Sequence, residues 1–165
     1  MNALTSLHAA VFDRLDRADW LLPTLARLVF AAILLMYFWV SGMTKLGDGW
    51  SGILFPGTGA YVQMFPRMME AVSYDADQLG VFYWLVAVGG TWAEFILPAL
   101  IVLGLLTRLA ALGMIGFIVV QSLTDIYGHG QLSELGAWFD RFPNAMILDQ
   151  RALWVFVLLV LVVKG

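Results

Sequence analysis

The sequence predicts an all-α fold: an integral membrane bundle of four antiparallel helices, with two structured extracytoplasmic loops and an N-terminal interfacial helix. Three observations predict it. Of the 165 residues, 61 % are hydrophobic and only 13 % charged, where a soluble domain carries about a quarter. A soluble core of this size leaves too much surface in water to hide that excess, so the solvent is itself apolar. The apolar residues also gather in four runs, most of them near the 20 or so residues that cross a hydrocarbon core of about 30 Å. Finally, a tight turn joins the second and third runs, while long polar segments join the others. One membrane domain over 1–165 accommodates all of this, with spans at about 21–45, 80–106, 109–126 and 147–164.

Taken in order, residues 1–20 place Leu4, Leu7, Val11, Leu15 and Trp20 at near-helical spacing with charges between them, the pattern of a helix lying on a membrane surface. The mixture of Asp13, Asp16 and Asp19 with Arg14 and Arg17 does not read as a signal peptide. The first span runs from Leu21 through Gly42 toward Lys45. Gly80–Leu106 is the second, long enough to tilt. Thr107-Arg108 reads as the tight turn, and Leu109–Ile126 returns as the third. The last run, Arg151–Val163, is short and reaches span length if it starts near Ile147.

Of the two long connections, 48–79 contains YVQMFPRMMEAVSY. It reads as an interfacial helix showing Met64, Phe65 and Met68 to lipid or to the bundle. The other, 127–149, contains GHGQLSELGAWFDRFP and reads as polar and structured. Arg14, Arg17, Arg27, Arg108 and Lys164 fall on one side, against Lys45, Arg67, Arg141 and Arg151 on the other. Because Arg108 lies in the shortest turn, where charge counts most, both termini are expected in the cytoplasm and both long segments outside.

Polar residues within the spans are the candidates for function, because a charge in hydrocarbon costs a few kcal/mol or more and asks for a partner. Glu94 lies near the middle of the second span. Gly90, Ala87 and Tyr83 continue its helical face outward at spacings of three and four. Four residues on, Pro98 has no N–H and so cannot bond the Glu94 carbonyl, which predicts a kink with a freed backbone oxygen beside the carboxyl. Tyr37, Ser41 and Lys45 form a stripe on the first span, Gln121 and Asp125 another on the third. Converging stripes would line an outward-open pocket with Glu94 at its floor and Lys45 paired with Asp125 across its mouth. The bundle-packing alternative keeps Lys45, Gln121 and Asp125 as interfacial or interhelical groups. It makes Glu94 a protonated carboxyl bonded to a Trp or Tyr of a neighbouring helix.

Arg27 and Arg108 read as interface anchors able to hold lipid phosphate. Trp39, Trp50, Trp84, Trp92, Trp138 and Trp154 fall mostly where interfacial belts place them, and a quinone or other flat ligand is able to stack between such rings. Cysteine is absent, which excludes disulfides, thiolate metal sites and thiol redox cycling. His8 and His129 are expected on opposite sides of the membrane, so neither a haem nor a histidine-rich metal site is expected. A net charge of −3 without a basic run argues against nucleic acid. No catalytic residues and no covalent cofactor are predicted, and an enzyme working alone is the least supported function.

YFWVSGMTKLG at the end of the first span, followed by AEFILPALIVLGLLTRLAALGMIGFIVVQS across the second and third, resembles the DoxX family. That resemblance implies a four-helix bacterial inner-membrane protein. It also implies association with membrane oxidoreductase assemblies, among them thiosulfate:quinone oxidoreductase, oxidative-stress complexes and operons linked to metal handling. The matching positions are Gly42, Lys45, Glu94, Gly104 and Arg108. Where several relatives carry a histidine beside the acid or at the start of the last span, this chain has Phe95 and Asp149-Gln150-Arg151, which counts against metal binding. Two functions are therefore expected. One is an accessory subunit of a quinone-linked membrane redox complex, in contact with lipids and other membrane subunits. The other is a small-molecule, ion or metal-handling protein built around Glu94.

Overall fold

A computed structural model describes residues 3–165. Seven α-helices order the described chain: α1 Ala3–Asp16, α2 Leu21–Met43, α3 Thr58–Met64, α4 Pro66–Ala71, α5 Val81–Leu103, α6 Thr107–Gly128 and α7 Gln150–Lys164. Among the described residues no strand forms. A lone parallel bridge joins Leu135 and Ile147. Three helices, α2, α5 and α6, are long and apolar enough to cross a membrane. The fourth, α7, has 15 residues and at about 1.5 Å per residue is shorter than a hydrocarbon core.

These four helices pack in a ring, with α5 and α7 each touching both α2 and α6. Phe30, Phe38, Ile101, Met114, Ile118, Leu158 and Leu161 fill its centre. Between α5 and α6 the chain turns at 104–106, not at Thr107-Arg108, which already belong to the first turn of α6. Gly104 adopts φ 78°. Its N–H bonds the Ile101 carbonyl and the Leu105 N–H bonds Leu100, the six-to-one closure that a left-handed residue after a helix permits. A side chain at position 104 would also meet the Arg27 guanidinium, 3.0 Å from its Cβ.

Several boundaries differ from expectation. The second span stops at Leu103 rather than Leu106, because Gly104 ends it. The third runs from Thr107 to Gly128, its last residues, Thr124–Gly128, wound as a π turn. The helix of the first span ends at Met43, leaving Lys45 in the turn beyond it, and contains a π segment at Ala31–Leu35. Ile147 lies before α7, held by its bridge to Leu135. Pro98 does not interrupt α5, which is helical from Val81 to Leu103. The expected interfacial helix of 48–79 is two short ones, α3 and α4, because Pro66 starts a helix at its first position and ends the preceding one at Phe65. Met64 and Phe65 turn toward the bundle, Met64 against Gly90 and Phe65 against the Tyr83 ring, while Met68 stays exposed. On α1, Leu4, Leu7, Val11 and Leu15 are all exposed.

Candidate functional site

The site is built where α2, α5 and α6 approach one another away from the 104–106 turn. Ser41 and Lys45 lie one turn apart and face α5. Lys45 Nζ bonds both Glu94 carboxylate oxygens, at 3.1 and 3.0 Å, and also the Ser41 hydroxyl oxygen at 2.7 Å and the Ser41 carbonyl at 3.1 Å. Ser41 in turn donates its hydroxyl to Glu94 Oε1 at 3.1 Å. The pair is sealed, Lys45 4 % and Glu94 2 % exposed. Lys45 therefore does not snorkel outward, and no Trp or Tyr is bonded to Glu94. In hydrocarbon a bare carboxylate or ammonium is costly, so each is the other's solvent.

Two neighbours fix this triad. Gly42 lets the Phe95 ring lie where a Cβ would otherwise sit, 2.7 Å away. The Trp39 indole N–H donates to the Phe95 carbonyl at 3.2 Å, which ties α2 to α5 beside the acid. That backbone acceptor belongs to Phe95, whereas the sequence pointed to the Glu94 carbonyl opposite Pro98.

The expected Lys45–Asp125 pair is not made. Asp125 is bound by Arg151 at the start of α7, Nη2 to Oδ2 at 2.6 Å, and the same guanidinium donates through Nη1 to Ser122 Oγ at 2.9 Å. Arg151 is 5 % exposed. Asp125 lies in the π turn that ends α6, beside the start of α7. Tyr37 lies eight residues from Lys45, about 80° around the helix. Tyr37 accepts a bond from Gln121 Nε2 at 3.1 Å and packs on Trp154, with ring centres 5.2 Å apart.

A cavity of about 700 Å³ opens beside the triad. Ser41, Lys45, Glu94, Gln121 and Asp125 all line it; of the six predicted residues only Tyr37 does not, though it is bonded to one that does. Sequence reasoning missed Arg151, Gln63 and His129. Gln63 and His129 line the end nearest the long connections, where His129 Nε2 lies 3.0 Å from the Gln63 carbonyl. The only sequence sign of Arg151 is a charge opening the last apolar run. Among the described residues no three His, Cys, Asp or Glu side chains gather as a metal site.

Three further tryptophans fasten loops, while Trp20 and Trp50 are exposed. Trp84 and Trp92 donate to the Leu54 and Ile53 carbonyls, and Trp138 to Leu148. At the opposite end of the bundle Arg27 lies against Gly104 and Arg108 donates to the Gly165 carbonyl at 2.7 Å.

No curated protein and no solved structure matches this sequence. A sequence model of the DoxX family does match it, over residues 22–125. That stretch carries nearly all of α2, α5 and α6, with the Lys45–Ser41–Glu94 triad inside it, and the chain belongs to the DoxX family.

Proposed function

We propose that this protein is a ligand-holding accessory subunit of a membrane redox complex. It binds a quinone or lipid-like small molecule in the cavity and leaves electron transfer to partner subunits. The observation that carries the reading is the buried Lys45–Glu94 pair, bridged by the half-buried Ser41, on the wall of a 700 Å³ cavity. Bundle packing alone has no use for a charge pair beside a void, since both groups would be cheaper as apolar side chains, whereas a bound head group does.

In this reading α7 is a fourth span, drawn to length by its polar flanks, and residues 1–165 form one membrane domain. Both termini lie on the cytoplasmic side of a bacterial inner membrane, with the long connections outside. The α1 helix rests on the membrane surface. Arg27 and Arg108 face lipid phosphates at the inner boundary. The exposed apolar flanks of α2, α5 and α6 take up lipid and partner subunits. The redox setting is supported by the family alone.

Native mass spectrometry of the gently extracted assembly tests both halves. The expected result is a partner protein at near-equal amount and a retained small molecule, lost when Ala93→Phe fills the cavity. Purification of the protein alone under every mild condition rejects the subunit half. Retention of the same molecule by Ala93→Phe rejects the pocket half.

A further inference from the structure

The first long connection begins deep in the bundle. Lys45, two residues past α2, holds Glu94 near the middle of α5. The Gly57 N–H then bonds the Lys45 carbonyl at 3.0 Å, so residues 46–56 form a closed loop whose neck stands beside the ion pair. The body of the loop lies along α5. The Trp92 and Trp84 indoles donate to the Ile53 and Leu54 carbonyls at 3.1 and 2.9 Å. At 1.5 Å per residue, Trp84 stands about 5 Å and Trp92 about 16 Å from the end of α5 that is away from the 104–106 turn. The whole of α5 rises about 34 Å, little more than a hydrocarbon core. Ile53 and Leu54 therefore sit beside the part of α5 that crosses hydrocarbon, not above it.

The loop is built for that level. Its backbone is answered by protein: Gly47 N–H bonds the Gly52 carbonyl, Gly52 N–H the Gly49 carbonyl, and the Leu54 and Phe55 N–H groups share that of Ser51. A side chain at Gly47 would strike the Phe55 carbonyl, and one at Gly52 the Gly47 carbonyl, so only glycine lets the loop close this tightly. Hydrocarbon tolerates a non-helical backbone only where protein satisfies its polar groups, and here two indoles complete that work. The side chains point the other way. Trp50 is 93 % exposed, and Ile53, Leu54 and Phe55 are exposed with it. In water such a cluster is a costly patch. It instead continues the exposed stripe Val81, Leu85, Trp92 and Ile96 of α5, which repeats at spacings of four and seven and faces acyl chains in a membrane-embedded bundle. Between Lys45 and Arg67 the chain carries one charge, Asp48.

We infer that residues 50–55 lie in the outer leaflet of the bilayer rather than in the aqueous phase. Trp50, Ile53, Leu54 and Phe55 stand among acyl chains, and Asp48 reaches the head groups. The partner of this surface is lipid, whatever the cavity binds.

The chain has no cysteine, so single nitroxide labels at Trp50→Cys and, independently, at Phe55→Cys report depth in the whole protein. The protein is placed in vesicles of phosphatidylethanolamine and phosphatidylglycerol. Ile96→Cys on the α5 stripe is the lipid reference, and Glu70→Cys on the exposed side of α4 the aqueous one. Both loop labels are expected to prefer collision with oxygen over a nickel chelate, as Ile96→Cys does, by about threefold or more relative to Glu70→Cys. Should the labels disturb folding, quenching of tryptophan fluorescence by brominated lipids, compared between the parent protein and Trp50→Phe, reads the same depth; a quenched component lost with Trp50 is expected. Chelate collisions equal to those of Glu70→Cys, or no quenched component from Trp50, would put the loop in water. Shielding from both reagents would mean that protein covers it, as a second copy or a partner subunit. Each of these results overturns the inference and leaves the cavity reading untouched.

Discussion

At the residue scale the dominant fact is the Lys45–Glu94 pair. Truncating one partner of a buried ion pair leaves an uncompensated charge, at about 3–5 kcal/mol, whereas replacing both by apolar groups is often neutral. Glu94→Gln is therefore expected to lower the melting temperature in detergent sharply, and Lys45→Met/Glu94→Leu to restore most of it. Circular dichroism melts of both variants check this, and a double variant no better than the single one would contradict it. The second pair behaves alike. Arg151→Met strands Asp125, and Asp125→Asn/Arg151→Met is expected to recover a coupling of about 1–3 kcal/mol in a double-mutant cycle. Ser41, half-buried between both members of the first pair, serves as its hinge; Ser41→Ala is expected to cost about 1 kcal/mol, the worth of a hydrogen bond.

At the element scale, glycines and short helices decide how the spans meet. Gly104→Ala is strained twice, by a positive φ and by the Arg27 guanidinium. A loss of about 1–2 kcal/mol is expected, read as a lower melting temperature with unchanged helix content. The α3–α4 segment caps the bundle through Tyr61, Met69 and Ala60 against Ala87. Burial raises the pKa of the Tyr61 phenol above its ordinary value, and the Asp77 carboxylate adds to the rise. Below about pH 10 the phenol is protonated in folded and unfolded chains alike. Above that, the unfolded phenol ionises first, so the cap loses stability as pH rises through this point. Amide exchange in α3 is expected to accelerate above pH 10, and less so in Tyr61→Phe.

At the scale of the whole molecule, α7 completes the ring although it is the shortest of the four. It is held by Leu158 and Leu161 in the core and by Arg151 at its start. Detaching that anchor is expected to expose the 129–149 connection, and Arg151→Met to be cut there by added protease several times faster than the parent protein. An unchanged cleavage rate would mean that apolar packing alone seats α7.

How much of this was legible follows from what sequence patterns encode. Composition and run length determined the membrane class, the three long spans and the hairpin, because hydrocarbon demands a fixed length of apolar chain whatever its neighbours are. The position of Glu94 in mid-span marked the site for the same reason: a carboxyl there has to be answered. Which group answers it was decided only by the tertiary structure. Lys45 as the partner of Glu94, and Arg151 from a helix end as the partner of Asp125, both depend on how helices rotate against one another. That rotation carries a 40° drift per four residues and a π turn at Ala31–Leu35, and a one-dimensional spacing rule records neither.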